Sequence, residues 1–171
     1  MERKRARWAG RVLIREVTQD DHDAIWRIIG PVIREGETYA IDRDISREDA
    51  LAYWTGERQH CFVVKDGGQV LGTYYLRRNH GGGGSHVCNC GYMVVPEARG
   101  EGLARTMLEH SLQKARELGF TAMQFNFVVA TNLGAVALWT KLGFETVGRL
   151  PDAFDHPREG LVDALVMSRK L

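Results

Sequence analysis

The sequence predicts a mixed α/β (α+β) fold, in which about seven strands form one central sheet and four helices pack against it. Short segments rich in β-branched and aromatic residues alternate with segments whose apolar residues recur every three or four positions. Residues 86–149 follow the order strand, helix, strand, helix, strand. That order requires a parallel pair in the middle of an otherwise largely antiparallel sheet.

The first half of the chain predicts three strands and two helices. In order, they are a strand at 11–17, a helix ending near Glu35, a loop at 36–44, a short helix capped by Ser46, and a hairpin of strands 60–65 and 69–77 closed by Asp66-Gly67-Gly68. Pro31 falls inside the first helical pattern and predicts a kink or an interruption, because proline lacks the backbone N–H that a helix requires.

The second half predicts the parallel unit and a closing pair of strands. In order, they are a loop at 79–85, a strand at 86–95, a helix from Leu103 that ends at Gly119, a strand at 121–129, a helix capped by Asn132 that ends at Gly143, a strand at 144–149, a loop at 151–160 and a last strand at 161–169. No repeat or change of composition divides the chain, so a single domain over 1–171 is expected.

Composition excludes several classes of protein. The 171 residues include 44% hydrophobic and 26% charged residues and carry a formal net charge of +1. A nucleic-acid or membrane partner is therefore not expected from the overall charge. No apolar run approaches the ~20 residues of a membrane span. The basic residues among 1–10 predict a loosely ordered terminus, with a targeting or nucleic-acid role as the alternative.

Cysteine usage indicates a cytoplasmic protein. There are three cysteines, an odd number, and no secretory leader pattern. Cys88 and Cys90 form a C-x-C pattern, which differs from the C-x-x-C spacing of zinc and redox sites. Their side chains share one face of a strand, so we expect two buried small residues and no metal site.

The segment 94–104 is the strongest functional signal. An apolar strand ends at Pro96, a turn carries Arg99, Gly100 and Gly102, and a helix follows. A glycine turn at a helix start presents free backbone N–H groups and the positive end of the helix dipole, which together bind anions such as phosphate. The Lys-Ser/Thr ending of a P-loop is missing, so a nucleotide site of that class is not expected.

Three features in one order resemble the GNAT acetyltransferase superfamily. They are Arg99-x-x-Gly102-x-Ala104 after a strand, Asn132 at a helix start, and Leu138-Trp139-Thr140-Lys141-Leu142-Gly143-Phe144 at that helix's end. The resemblance covers most of the chain. It implies that the central parallel strands splay apart, that acetyl-CoA is a co-substrate and that no metal is used. It also suggests a homodimer.

The resemblance also implies roles for individual residues. The CoA pyrophosphate is expected at the turn and helix start, against Arg99, Gly100, Gly102, Leu103, Ala104 and Arg105. Backbone groups of Met93, Val94 and Val95 would bind the pantetheine arm, and Asn132 would face that arm. The N–H of Val94 would act in catalysis by polarising the thioester carbonyl.

A narrower resemblance concerns the amine substrate. Cys88-Asn89-Cys90-Gly91-Tyr92, Phe125-Asn126-Phe127-Val128-Val129 and Leu138-Trp139 resemble the L-azetidine-2-carboxylate N-acetyltransferase branch. That branch implies that Asn89 and Asn126 bind the substrate and serve catalysis. The alternative is that both are structural amides satisfied by the protein.

The remaining parts of the mechanism stay open in the sequence. Trp139 stands where many members of the family carry an acidic tyrosine, and it is either a packing residue or a wall near the thiol. Candidate bases are Glu35, Glu37, Asp155 and His156, with a water relay as the alternative. Thr38 and Tyr39, in the loop between the first two helices, are expected to form the substrate rim.

The sequence therefore predicts an acetyl-CoA-dependent N-acetyltransferase that acts by direct attack on the thioester. The expected acceptor is a small-molecule amine, such as an amino acid or an amino-acid analogue. The alternatives are a peptide or protein N-acetyltransferase, an enzyme that acetylates an antibiotic or herbicide amine, and a non-catalytic acyl-CoA-binding module.

Overall fold

The computed structural model describes residues 11–171, which form seven strands and four helices around one sheet. The strands are β1 (Leu13–Glu16), β2 (Gln59–Asp66), β3 (Gln69–Arg78), β4 (Val87–Val94), β5 (Ala122–Val129), β6 (Glu145–His156) and β7 (Gly160–Lys170). The helices are α1 (His22–Glu35), α2 (Arg47–Thr55), α3 (Leu103–Glu117) and α4 (Leu133–Lys141). The expected loose terminus at 1–10 lies outside the described residues.

The sheet has the strand order β1-β2-β3-β4-β5-β7-β6. Every neighbouring pair is antiparallel except β4 and β5, which run parallel. That pair is joined only at Val87–Ala122 and Cys88–Met123. Beyond these positions the two strands separate, and the predicted mixed fold with a parallel pair at its centre is confirmed.

The helices cover the two faces of the sheet with separate cores. On one face α1 and α2 bury Ile25, Ile29 and Trp54 against β2 and β3. On the other face α3 and α4 bury apolar residues against the central strands, and Cys88 and Cys90 belong to this second core. Both cysteines are free and buried, as the strand pattern predicts.

Two predictions about local structure are wrong. α1 continues through Pro31 to Glu35, so the predicted interruption is wrong, whereas the alternative of a kink stays a prediction. Pro31 is exposed, so water can reach the carbonyl that loses its helical donor. The segment 151–160 was expected to be a loop, but most of it belongs to β6, and β7 begins at Gly160. Since β6 is the edge strand, it tolerates Pro151, and its register with β7 shifts between Leu150 and Phe154.

Within residues 11–171, none of the helices is both long and apolar enough to cross a bilayer.

Candidate active site

A cavity of about 820 Å³ opens where β4 and β5 separate. Its walls come from the loop after α1, from β3, β4 and β5, from the turn before α3, and from the start of α4. Of the site residues predicted from the sequence, Val95 alone does not line it. The others do: Thr38, Tyr39, Asn89, Met93, Val94, Arg99, Gly100, Gly102, Leu103, Ala104, Arg105, Asn126 and Asn132. The N–H of Val95 donates to Leu71 O at 2.9 Å, on the side of β3.

The turn before α3 forms one end of this cavity. Gly100 and Gly102 have φ of 73° and 89°, a conformation that glycine adopts without strain. The first helical bond runs from Thr106 N to Gly102 O at 3.2 Å, so the amides of 103–105 have no intrahelical acceptor. Gly102 caps the helix without a side chain, and the space around Gly100 is open. This end can therefore hold the pyrophosphate of CoA.

Strand β4 supplies backbone donors along the gap. The N–H and C=O groups of a strand alternate between its two sides. Val95 N points to β3, whereas the backbone of Tyr92 bonds to a side chain on the other side. By the same alternation, the N–H of Val94 points away from β3 into the gap. This is the direction that a donor to a thioester carbonyl requires.

Tyr39 fastens the loop after α1 to this part of β4. Its hydroxyl donates to Tyr92 O at 2.8 Å and accepts from Tyr92 N at 2.9 Å. Burial raises the pKa of Tyr39 above its ordinary value, so the hydroxyl stays protonated. Tyr39 is therefore placed as a positioning group at the rim.

Asn89 and Asn126, which line the cavity, are held by hydrogen bonds to Gln124 and Asn79 behind them. Asn89 Nδ2 donates to Gln124 O at 3.0 Å, and Gln124 Nε2 donates to Asn126 Oδ1 at 2.9 Å. Asn126 Nδ2 donates to Asn79 Oδ1 at 2.6 Å. The buried Nδ2 of Asn79 has no hydrogen-bond partner among the described residues. Within residues 11–171 both ends of the Asn126 amide are thus engaged by protein, while only the donor end of Asn89 is.

Asn126 owes its position to a bulge. The register of β5 on β7 shifts between Phe125 and Val128, so one extra residue is inserted there. A bulge bends the strand and redirects the side chains beside it. This one lies where β5 leaves β4, and Phe125 and Val128 on either side of it both face the core that α3 and α4 cover.

Asn132 and Trp139 close the cavity from α4. Asn132 Oδ1 accepts from Ala135 N at 3.3 Å and caps the helix as predicted, which leaves Nδ2 for the cavity. Trp139 is buried, with ring centroids 5.3 Å from Tyr92 and 5.1 Å from Phe125. It is therefore a packing residue that also forms part of the wall.

The candidate bases fall into two groups. Glu35 and Glu37 line the cavity, paired with Arg99 at 3.6 Å and Arg158 at 2.8 Å. Asp155 and His156 do not line it. His156 is buried on β6, and its Nδ1 accepts from Arg158 N at 3.3 Å. The structure thus separates His156 from the cavity and leaves Glu35, Glu37 and water as proton acceptors.

Of the cavity residues that the sequence did not predict, three carry side chains that can contact a polar ligand. They are Tyr53 on α2 and Tyr75 and Arg77 on β3. The alternation of β3 places Tyr75 and Arg77 on the same face and could have shown this. The position of α2 over that face could not be deduced from spacing.

Comparisons with known proteins place the chain in a family. The model of the acetyltransferase (GNAT) family matches residues 14–144. A GCN5-related N-acetyltransferase of Kribbella flavida is 37% identical, with a TM-score of 0.90 over 95% of this chain and 99% of that one. The chain belongs to the GNAT acetyltransferase family, and the predicted enzyme class is confirmed. The azetidine-2-carboxylate branch is not confirmed.

Two further relatives differ in what they share. The N-acetyltransferase aca1 of Schizosaccharomyces pombe is 38% identical over 98 residues, which are 57% of this chain and 47% of that protein. The match thus spans about half the length of that relative. A phosphinothricin acetyltransferase of Sinorhizobium meliloti, solved in complex with acetyl-CoA, is 22% identical with a TM-score of 0.81, over 94% of this chain and 89% of that one. It shares the fold.

Proposed function

We propose that this protein transfers the acetyl group of acetyl-CoA to the amine of a small molecule, an amino acid or an amino-acid analogue. One observation carries the proposal. A single cavity joins an anion-binding helix start at Leu103 to a strand edge where Val94 N–H faces the gap. The first binds the pyrophosphate and the second polarises the thioester.

The reaction is a direct transfer. The neutral amine nitrogen attacks the thioester carbonyl carbon and forms the C–N bond. Negative charge moves to the carbonyl oxygen, where Val94 N–H stabilises it, and loss of one such donor costs about 3 kcal/mol. The C–S bond then breaks and CoA leaves as a thiolate. Since a thiol has a pKa of ~8.5, water can protonate it without a tyrosine.

Two carboxylates can accept the protons that the amine loses. The substrate ammonium loses one proton before attack, and the attacking nitrogen loses another afterwards. Glu37 lines the cavity and is only partly exposed, and Glu35 lies near the helix end that precedes it. Either carboxylate can accept protons through a water molecule and pass them to solvent.

The rim supports a small acceptor over a peptide. The Tyr39 hydroxyl ties the loop after α1 to β4, and Glu37 pairs with Arg158 in the turn between β6 and β7 at 2.8 Å. These two contacts hold the loop after α1 against β4 and against the turn between β6 and β7, beside the cavity. An extended peptide would have to displace the ion pair, whereas an amino acid would fit behind it.

The experiment is an assay of thiol release from acetyl-CoA. The full chain is incubated with proline and its analogues, primary amino acids, methionine sulfoximine and a set of peptides. We expect release with amino acids that exceeds release with peptides by at least tenfold in kcat/KM. Faster release with peptides would overturn the choice of acceptor. Thermal stabilisation by acetyl-CoA without release on any amine would instead indicate a binding module.

A further inference from the structure

We propose that Arg77 binds the carboxylate of the acceptor, so that the substrate is a molecule that carries an amine and a carboxylate close together. The proposal rests on the proposed function, because it concerns the acceptor of that same site.

Arg77 lies on the floor of the cavity. On the sheet it is directly opposite Asn89, and cross-strand partners point to the same face. Its guanidinium carbon lies 5.3 Å from the ring centroid of Tyr75 and 5.6 Å from that of Tyr53. Two aromatic rings therefore hold the charged group in place.

Arg77 differs from the other charged residues of the cavity, because within residues 11–171 it has no ion-pair partner. Five charged residues line it: Glu35, Glu37, Arg77, Arg99 and Arg105. Four of them have an ion-pair partner, which is Arg99 for Glu35, Arg158 for Glu37 and Glu109 for Arg105. Among residues 11–171 nothing forms a hydrogen bond or ion pair with the guanidinium of Arg77. It is a half-buried cation whose counter-charge the fold does not supply.

The chemistry of this arrangement selects a carboxylate. A guanidinium has five donors in one plane, and two of them match the two oxygens of a carboxylate. The contacts with the two rings are cation–π contacts, and within residues 11–171 the in-plane donors of the group form no hydrogen bond. Asn89 Oδ1, on the neighbouring strand, accepts no hydrogen bond from residues 11–171 and can take one from the ammonium of the same molecule.

The subsite lies within reach of the reaction. Tyr75 is directly opposite Gly91, and its ring lies over that residue, since a Cβ there would stand 2.7 Å from the ring. From Gly91 to Val94 the strand advances about 10 Å. This length accommodates a salt bridge, the short spacing of an α-amino acid and the approach of its nitrogen to the thioester. An amine and a carboxylate that belong to one small molecule can therefore reach the thioester and Arg77 together.

The test compares three acceptors on the wild type and three variants. The acceptors are the best amino acid of the thiol-release panel, its carboxamide and the corresponding amine without the carboxylate. The proteins are the wild type, Arg77→Gln and, as a matched control, Arg78→Gln, which removes an exposed arginine one residue further along β3. Arg77→Lys keeps the positive charge but loses the planar pair of donors that matches a carboxylate. The dissociation constant of acetyl-CoA is measured for each protein.

We expect the wild type and Arg78→Gln to prefer the amino acid to its carboxamide by at least thirtyfold in kcat/KM. Arg77→Gln should reduce that preference to less than threefold, Arg77→Lys should lie between, and acetyl-CoA should bind all four proteins equally. An unchanged preference in Arg77→Gln, or a wild type that favours the carboxamide, would overturn the role of Arg77 and leave acetyl transfer standing. Absence of transfer to any amine would overturn both proposals.

Discussion

The hydroxyl of Tyr39 bonds to both the N–H and the C=O of Tyr92, so one side chain occupies a position that a neighbouring strand would fill. Tyr92 stands beyond the last paired residue of β4 and β5, where the two strands have separated. The side chain thus supplies hydrogen bonds to backbone groups that β5 no longer reaches. It also holds the loop after α1 against β4.

Tyr39→Phe should therefore lower the free energy of unfolding. The substitution keeps the ring but leaves two backbone groups of Tyr92 without their partner, at a cost of roughly 1–3 kcal/mol. Urea denaturation at neutral pH measures it. A midpoint within error of the wild type, at equal m-value, would mean that water in the cavity replaces both bonds.

Gly100→Glu should weaken acetyl-CoA binding by more than about tenfold, because it puts a negative charge at the phosphate end of the cavity. Gly119→Glu is its matched control. Both glycines have positive φ, 73° and 85°, with no atom within 4 Å of an added Cβ, but only Gly100 lines the cavity. Each change should cost about 1–2 kcal/mol of stability from strain. Titration calorimetry with acetyl-CoA distinguishes the effect of the charge from that of the strain. Equal affinities of the two variants would refute the pyrophosphate site.

Asn126→Ala should lower kcat/KM for the amine by about tenfold while acetyl-CoA affinity changes less than twofold. Its amide links Gln124 and Asn79 beneath the acceptor, and its loss leaves those two groups unpaired. Steady-state kinetics with the preferred amine provide the measurement. Equal losses in acetyl-CoA affinity and turnover would show that Asn126 acts through the fold as a whole.

Stability should depend on pH through Asp21. Arg15 and Thr18 donate to its buried carboxylate, and the bond to Arg15 is the main reason that its pKa is lowered from 3.8 to about 2. Because the folded pKa is depressed, the stabilisation is present above about pH 4 and is lost as the pH falls towards 2. It amounts to about 2 kcal/mol.

Asp21→Asn tests this dependence. The difference in unfolding free energy between wild type and variant should shrink as the pH is lowered from 5 to about 2. Asp23→Asn is the control, because Asp23 is exposed and pairs with Arg47 on the surface, where such pairs contribute little. A difference for Asp21→Asn that stays constant with pH would contradict the assignment. Chemical denaturation at several pH values measures both.

Trp139→Tyr should fold and leave kcat within about threefold of the wild type. The ring packs between Tyr92 and Phe125, and CoA can leave as a thiolate without an acid. Trp139→Phe controls for the change in volume. If the tyrosine variant alone gained tenfold or more in kcat, protonation of the leaving group would be limiting.

The parts of the site that the sequence predicts are those built from consecutive residues. The run from Val94 to Ala104 contains a strand end, glycines and a helix start, so its anion site follows from local chemistry alone. The cap by Asn132 is equally local, since its side chain bonds to a backbone N–H three residues on.

The parts that could not be predicted depend on what packs across the sheet. Arg77 is one of many arginines in the sequence, and that it has no ion pair within the described part of the chain appears only once α2 and β4 are in place. His156 has a suitable chemistry, but it lies on the edge strand away from the cavity. Pro151 suggested a loop because proline removes a donor from a strand ladder, but β6 tolerates it because that strand has a neighbour on one side only.

The cavity is divided along the chain. The lining residues between 93 and 105 and between 132 and 139 form the proposed acetyl-CoA end, whereas Glu37, Tyr39, Tyr53 and Arg77 form the proposed acceptor end, where Arg158 pairs with Glu37. The two sets come from separate parts of the sequence. Replacement of the loop at 36–45 by that of another protein of this fold would therefore change the specificity for the amine and leave the acetyl-CoA site intact. The same division would allow proteins of this fold to evolve specificity for different amines while all of them keep acetyl-CoA as the acetyl donor.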